Sequence, residues 1–148
     1  MPEPDAITIA AWARLLRVSR MLLDRVEADL KQAGLPPLVW YDALHEIAEA
    51  GDAGLRPYEV IERMVLAQYN ASRLLARLEK EGLIQRDRCP ADGRGQIVRI
   101  TPEGRDLRRR MWAVYGPAIA EHFGDQLTSW DVRELDRMLV RLAEGQTD

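Results

Sequence analysis

The feature that most constrains the fold of this chain is a short hairpin set between helices. Leu83–Asp87 and Gln96–Ile100 carry the apolar residues of two short strands, and Asp92-Gly93 between them is a strong signal for a hairpin turn. Gly82 ends the helical pattern before the hairpin, and Thr101-Pro102 supplies the cap and first turn of the helix after it. The arrangement predicts a mainly α-helical fold with one small β-hairpin.

The rest of the chain predicts helices, so that the element order is α-α-α-α-β-β-α-α. Apolar residues recur at helical spacing over residues 7–33, 38–50, 57–65, 67–82, about 102–122 and after Thr128 or Ser129. In the third helix we expect Val60, Ile61 and Met64 to point inward. The first helix is long for a 148-residue chain, because globular helices average about 10–14 residues. We therefore expect part of it to pack on another subunit.

The fourth helix, over residues 67–82, has two contrasting faces. Apolar residues form a stripe for burial, namely Ala67, Ala71, Leu74, Leu75 and Leu78. The opposite face carries Tyr69, Arg73, Arg77 and Lys80, flanked by Gln68 and Ser72, and long polar donors dominate it. Such groups pair with base edges and phosphates in a major groove. Three short helices, the last polar on its exposed face, and then a hairpin form the order of a winged helix-turn-helix.

The charge distribution supports the same face. Net charge is −3, but residues 68–110 hold eleven basic and six acidic side chains, a balance of +5. The rest of the chain holds ten basic and eighteen acidic side chains, a balance of −8. A basic middle between acidic flanks indicates a face for a polyanion, although an ordinary solvated face also accounts for the charge.

Arg94 stands between two glycines near the tip of the predicted hairpin, with no apolar neighbour on which to pack. A hairpin beside a recognition helix can carry a cation into the adjacent minor groove, where A·T-rich DNA concentrates negative potential. In this interpretation DNA is the partner of Arg94. Asp92 either aims Arg94 through an ion pair or simply forms the turn.

Two stretches of the chain resemble the MarR (multiple antibiotic resistance regulator) family of bacterial transcription factors. They are LAQYNASRLLARLEKEGLIQR at 66–86 and DGRGQIVRITPEGRDL at 92–107, and the resemblance covers nearly the whole chain. Family members have a serine-bearing recognition helix, a Leu-Glu and Gly-Leu exit, and a wing of form Asp-x-Arg ahead of Leu-Thr-x-x-Gly. Gly93 departs from the pattern, because many members have a second arginine there, and a weaker phosphate grip at the wing is expected.

The resemblance implies a sequence-specific regulator of transcription that binds double-stranded DNA, more often a repressor in this family, with no enzymatic activity and no cofactor. The DNA-contact residues expected from the motifs are Gln68, Tyr69, Asn70, Ser72, Arg73, Arg77, Arg88, Asp92 and Arg94. For Tyr69, contact with DNA and packing against the helices both remain open. For Arg77, phosphate contact and a purely structural role both remain open.

The resemblance also implies a homodimer. Residues 1–34 are then the N-terminal helix of the dimerisation region, 35–101 the winged helix-turn-helix lobe, and 102–148 the C-terminal dimerisation helices, all in one intertwined domain. A two-fold dimer presents two recognition helices, which predicts an inverted-repeat operator with half-sites about one helical turn apart.

A small aromatic or phenolic effector is a further partner that the resemblance implies. The candidate effector-binding residues are Trp12, Arg17, Trp40, Tyr41 and His45. The alternative interpretation assigns the tryptophans to the dimer core, and it is stronger for Trp112 and Trp130.

Other functions lack their residue patterns. Glu49 stands where the zinc-protease motif beginning at His45-Glu46 needs its second histidine, and His122 is isolated in the sequence, so no metal site is predicted. Cys89 is the only cysteine, and both redox sensing and incidental placement remain open for it. A small enzyme would need a catalytic constellation that the sequence does not contain.

A winged-helix module for protein contacts, without DNA binding, is the remaining alternative. Such a module should have apolar residues on the exposed face of the fourth helix. The N-terminal MPEPDAITIA lacks the features of a signal peptide, and no apolar stretch approaches the roughly 20 residues of a membrane span. We therefore expect a cytoplasmic protein with no membrane partner.

Overall fold

The structure is a computed structural model that describes residues 1–66, 70–88 and 95–147. Over these residues the elements follow the predicted order. They are α1 (Ala6–Gln32), α2 (Leu38–Glu49), α3 (Pro57–Arg63), α4 (Ala71–Lys80), β1 (Ile84–Arg88), β2 (Gln96–Ile100), α5 (Pro102–His122) and α6 (Ser129–Glu144). Short 3₁₀ turns at Gly51–Ala53 and Gly124–Gln126 follow α2 and α5. The prediction of a mainly α-helical fold with a small hairpin is confirmed.

The chain divides into two compact units. The first comprises residues 1–29 with 115–148, and the second comprises residues 30–114. The second unit extends past the predicted lobe, 35–101, because it includes the first half of α5. The two boundaries proposed for the dimerisation region, at 34 and 102, stay a prediction.

The second unit is built around one apolar core. Its buried side chains include Leu44, Ile47, Val60, Leu75, Leu78, Ile84, Val98, Leu107 and Met111. β1 and β2 pair antiparallel, with Ile84 opposite Ile100 and Arg88 opposite Gln96. Leu55 pairs with Val98 through N–H···O bonds of 3.0 and 2.7 Å, so the segment before α3 is tied to the hairpin.

The end of α4 explains why the first strand starts one residue later than predicted. Gly82 adopts φ +75°, its N–H donates to the Glu79 carbonyl at 2.9 Å, and the Leu83 N–H donates to the Leu78 carbonyl at 2.9 Å. These two bonds are those of a Schellman motif, which satisfies the last carbonyls of a helix. Leu83 therefore belongs to the helix terminus, and β1 begins at Ile84.

Thr101 caps α5 as predicted and also ties the helix to the end of α4. Its Oγ1 accepts a hydrogen bond from the Gly104 N–H at 3.0 Å and donates to the Gly82 carbonyl at 2.7 Å. The predicted span of α5, 102–122, is confirmed. Thr128 likewise caps α6, because its side chain accepts from the Asp131 N–H at 3.1 Å.

Two expectations about α3 and α4 are wrong in detail. Ile61 was expected to point inward but is 40% exposed. Only Val60 is buried in the seven-residue helix α3, which ends at Arg63. One residue along a helix rotates the side chain by about 100°, so Ile61 turns away from the face of Val60. The start of α4 lies at Ala71 with Asn70 as N-cap, later than the predicted residue 67. Residues 67–69 lie outside the described part of the chain.

The first unit leaves much of its apolar surface uncovered. On α1 the exposed large apolar side chains are Ile7, Ile9, Trp12, Leu15, Leu16, Val18, Met21 and Leu23, and on α6 they are Trp130, Met138, Leu139, Val140 and Leu142. None of the residues of α6 is buried in the single chain. Across the residues that the structure describes, no helix is long and apolar enough to cross a membrane.

Candidate nucleic-acid interface

The exposed face of α4 is mainly polar. Leu74, Leu75 and Leu78 are buried, whereas Ser72, Arg73, Ala76, Arg77, Glu79 and Lys80 are exposed. Asn70, the N-cap residue, is exposed as well. The sequence prediction of two contrasting faces is therefore confirmed for the described residues, and no large apolar side chain stands on the outer face between residues 70 and 80.

Many arginines of the basic middle segment already have a carboxylate partner. The pairs are Arg77–Glu81 (3.1 Å), Arg86–Glu79 (3.6 Å), Arg99–Asp87 (3.2 Å), Arg108–Glu49 (3.0 Å), Arg109–Asp106 (3.5 Å) and Arg110–Asp106 (3.1 Å). Apart from Glu49, these carboxylates lie within residues 68–110 and are already counted in the balance of +5. The pairs therefore show which of the cations are locally compensated, and the net positive charge rests on the arginines and lysines outside them.

Arg73 and Arg88 differ from those arginines. Both are exposed, and neither forms an ion pair with any residue that the structure describes. Arg73 lies in the first turn of α4, where the exposed N–H groups give the helix end a partial positive charge. Arg88 is the last residue of β1. These two cations are available to a polyanion.

Arg77 occupies a different setting from Arg73. Its guanidinium carbon lies 6.0 Å from the centroid of the Trp40 ring, and its Nε donates to Glu81 Oε1 at 3.1 Å. The Trp40 ring and the Glu81 carboxylate thus both attract the Arg77 guanidinium toward its own lobe. Arg77 thus contacts residues of its own lobe while it lies on the exposed face of α4, and its contact with DNA stays a prediction.

Four predicted DNA contacts lie outside the described residues. They are Gln68, Tyr69, Asp92 and Arg94. Cys89, for which redox sensing was left open, lies there too.

Two of the candidate effector residues meet in the second unit. Tyr41 stacks on His45 with ring centroids 5.5 Å apart, and it stacks on Trp112 at 6.1 Å. His45 Nδ1 lies 2.9 Å from the Nη2 of Arg108, which also donates to Glu49 Oε1 at 3.0 Å. Because a guanidinium only donates, Nδ1 is the acceptor in this contact, which places the proton of a neutral ring on Nε2. We call these five residues the α2–α5 cluster.

The other effector candidates have different surroundings. Trp40 is on α2 and contacts Arg77. Trp12 and Arg17 are exposed residues of α1 in the first unit. Sequence reasoning missed Arg108 and Glu49, although Glu49 follows His45 by four residues and so shares its helix face. The 63-residue separation of Arg108 from His45 left no local signal for that contact.

His122 is not isolated, contrary to the expectation from the sequence. Its Nε2 lies 2.7 Å from Asp29 Oδ2, and the Glu121 carboxylate stands near both. The reason is that α1 and α5 pack in the first unit and bring together residues 93 positions apart. The hydrogen bond between His122 and Asp29 accounts for the pair without a metal, and the absence of a metal site stays a prediction.

Comparison with known proteins decides the family. The MarR family model matches residues 33–95. The transcriptional regulator HosA of Escherichia coli O111:H- is 33% identical over 94 residues, which are 64% of this chain and 68% of HosA. The chain belongs to the MarR family. It is therefore a DNA-binding transcriptional regulator and not an enzyme, as the motifs of the recognition helix and the wing predicted.

Solved structures of two family members from Streptomyces coelicolor have the same fold. Sco3205, solved in complex with DNA, is 28% identical with a TM-score of 0.90, and the match covers 100% of this chain and 92% of Sco3205. AbsC is 26% identical with a TM-score of 0.85, covering 98% of this chain and 97% of AbsC. The protein-docking alternative is not favoured by these relatives.

Proposed function

We propose that this MarR family regulator is a homodimeric, ligand-responsive repressor that reads an inverted-repeat operator with α4. The observation that carries the proposal is the outer face of α4, where Ser72 and Arg73 are exposed opposite a buried row of leucines. A helix of this kind docks in the major groove with its N-terminal residues toward the bases. Ser72, Arg73 and Asn70 lie in or next to that first turn.

We propose the wing as the second DNA contact. Arg88 is an exposed, unpaired cation among the described residues, and it ends the strand that leads into the turn. Arg94 would enter the minor groove and Arg88 would lie against the phosphate backbone. Gln68, Tyr69 and Asp92 complete the proposed contacts. Arg77 lies on the same exposed face of α4, but its charge is partly offset by Glu81. The DNA complex of Sco3205 supports a DNA-bound role for this fold.

The homodimer is proposed from the uncovered apolar side chains of α1 and α6. Monomeric proteins rarely expose contiguous apolar patches of more than a few hundred Å², and larger patches mark interfaces. Trp12, Leu16, Trp130, Leu139 and Leu142 are each at least 41% exposed in the single chain. A second copy, related by a two-fold axis, would cover both helices and present two α4 helices to half-sites about one helical turn apart.

The α2–α5 cluster is the proposed effector site. Trp112, which is 50% exposed and stacks on the buried Tyr41, offers an aromatic surface, and Arg108, which contacts His45, offers a cation. This composition fits a small aromatic or phenolic anion, which would stack on the rings and displace Glu49 from Arg108. A ligand that favours one conformation of the lobe would change DNA affinity by a coupling of about 1–3 kcal/mol. Repression would be steric, because a dimer bound over a promoter blocks access to it. The protein would act in the cytoplasm, where its DNA partner is located.

Fluorescence anisotropy on a duplex selected from a random library tests the DNA-reading face. Arg73→Ala is expected to weaken binding by about 1–3 kcal/mol if Arg73 reads a base, or to reduce the salt slope by about 1 if it contacts phosphate. Arg133→Ala on α6 is the matched control, because Arg133 is also an exposed helical arginine without an ion pair among the described residues. Equal affinity and salt slope for Arg73→Ala and wild type would overturn the proposal for α4.

A ligand screen tests the proposed effector site. Aromatic carboxylates and phenols are added to the protein–DNA complex, and release of the duplex is followed. Arg108→Gln is expected to bind DNA as the wild type does and to lose the response to the anion. Arg110→Gln, which removes an exposed arginine paired with Asp106, is the control that should keep the response. A response that survives Arg108→Gln would place the effector elsewhere.

A further inference from the structure

Asp42 is an unusual residue in this lobe. Among the residues that the structure describes, it is the only charged side chain classed as buried, with 7% of its surface exposed. Its Oδ1 accepts a hydrogen bond from the Val65 N–H at 3.0 Å, and its Oδ2 accepts one from the Leu66 N–H at 2.6 Å. A carboxylate on α2 thus binds two consecutive amides of the segment that leads from α3 to α4.

These two hydrogen bonds matter because the amides that donate them lie beyond the end of α3. α3 ends at Arg63, and Met64 is in an extended conformation with φ −61° and ψ 142°. The amides of Val65 and Leu66 are therefore past the helix and need acceptors from elsewhere. A buried carboxylate is costly to desolvate unless it is hydrogen-bonded, so the carboxylate and the two amides satisfy one another. The path of the chain out of α3 is consequently set by α2.

We infer that Asp42 is a positioning residue for DNA recognition, which holds Val65 and Leu66 ahead of α4 so that the first turn of α4 presents its side chains to base edges. Leu66 precedes Ala71, the first residue of α4, by five positions. The row of buried leucines fixes the rotation of α4 about its axis. The two hydrogen bonds from the Val65 and Leu66 amides to Asp42, which we call the Asp42 clamp, fix the chain on the N-terminal side of the helix. The inference rests on the proposed docking of α4 in the major groove.

The clamp should affect specific binding more than non-specific binding. Hydrogen bonds to base edges need donor–acceptor distances of about 2.7–3.2 Å, so a small displacement of α4 removes them. Phosphate contacts supply essentially all of the non-specific affinity, and they depend mainly on charge. Loss of the clamp would therefore leave binding to a random duplex nearly unchanged, whereas a general loss of folded protein would weaken both.

Asp42→Asn is the test variant. Asparagine has the same shape but only one acceptor oxygen, and its NH₂ group would face one of the two amides as a second donor. Glu46→Gln, one turn further along α2, is the control, since it removes the same charge from a side chain that does not bond to the turn. Asp42→Glu is the second variant, because it keeps both acceptor oxygens on a longer stem.

Affinity is measured by anisotropy on the selected duplex and on a random duplex, with the full-length protein. Asp42→Asn is expected to weaken binding to the selected duplex by about tenfold, or about 1.4 kcal/mol, with less than about a twofold change on the random duplex. Glu46→Gln should match the wild type, and Asp42→Glu should fall between wild type and Asp42→Asn. Amide hydrogen exchange should show lost protection at Val65 and Leu66, with the amides of the leucine row unchanged.

Two results would overturn the inference. One is wild-type affinity of Asp42→Asn for the selected duplex, and the other is an equal loss on both duplexes. Arg73→Ala, measured beside it, separates the two proposals. If Arg73→Ala weakens specific binding and Asp42→Asn does not, the docking of α4 stands and the role of Asp42 fails. If neither variant affects specific binding, the proposed DNA-reading face itself is wrong.

Discussion

Gly104, at the third position of α5, is the residue whose replacement by alanine should be most informative about the junction between the hairpin and α5. An added Cβ would meet the carbonyl oxygen of Leu83 at far less than van der Waals distance, and it would lie 2.8 Å from Ile100 Cγ1. The Leu83 carbonyl also accepts a hydrogen bond from the Thr101 N–H at 3.1 Å. The Leu83 carbonyl oxygen therefore cannot move away from the added Cβ without disturbing this hydrogen bond.

The magnitude follows from three contributions. Overpacking typically destabilises by about 1–3 kcal/mol, and a clash with backbone rather than a flexible side chain belongs at the upper end. A disturbed Thr101–Leu83 hydrogen bond adds about 1 kcal/mol, whereas the higher helix propensity of alanine offsets about 1 kcal/mol. The free energy of unfolding should therefore fall by about 3 kcal/mol. For a chain of this length that corresponds to a decrease in Tm of about 6–12 °C.

Thermal and urea unfolding measure this loss of stability. Wild type and variant are compared at one protein concentration, because the proposed dimer makes Tm concentration-dependent. Gly145→Ala is the matched control. Gly145 has φ −67°, and a Cβ there would meet its nearest neighbours, the carbonyl oxygens of Leu142 and Arg141, at 3.5 and 3.6 Å. Its Tm should stay close to that of the wild type. A Gly104→Ala protein as stable as wild type would refute the close approach of α5 to the end of α4.

Three further predictions concern the dimer, the cap of α5 and the first turn of α1. Leu139→Glu, which places a charge on the exposed apolar face of α6, should convert a dimer into a monomer in light scattering; a stable dimer would contradict the proposed interface. Thr101→Val removes the hydroxyl that donates to the Gly82 carbonyl and should lower the unfolding free energy by about 1–2 kcal/mol, with Thr101→Ser restoring most of it in urea unfolding. The Thr8 side chain and backbone N–H hold the pKa of Asp5 below its ordinary value. The hydrogen bond from the Thr8 amide to the Asp5 carboxylate is therefore present at a pH above the ordinary carboxyl pKa, and it is lost as the pH falls through the lowered pKa. An NMR titration of the Thr8 amide measures this loss. An Asp5 carboxyl that titrates at its ordinary pKa would argue against the cap.

Elements with local signals were predictable to within one or two residues. The end of α4 depends on the left-handed conformation of Gly82, and the start of α5 depends on the hydroxyl of Thr101. Each signal acts within five residues, so it can be read without the fold. The orientation of Ile61 was predicted wrongly because its local signal is weak. In a helix of seven residues, the apolar pattern is too short to show whether Val60 or Ile61 faces the core.

The candidate site was predictable in type but not in its pairings. The polar outer face of α4 follows from helical periodicity, and the exposure of Ser72 and Arg73 on that face was therefore predictable from the sequence; their contact with DNA stays a prediction. The α2–α5 cluster was only half found, because Arg108 reaches His45 across 63 residues. Asp42 was missed altogether, since nothing in the local pattern of α2 shows that its carboxylate meets amides 23 and 24 residues away.

By itself, the sequence determined the order of helices and strands, the caps that bound them and the family motifs, because these depend on side chains within a few residues of one another. Tertiary structure alone decided which charges remain free. Arg77 and Arg73 look alike in the sequence, yet one lies over Trp40 beside Glu81 and the other has no ion pair among the described residues. Ion pairs and buried carboxylates depend on where distant segments meet, and that is settled only when burial of the common apolar core brings the helices together.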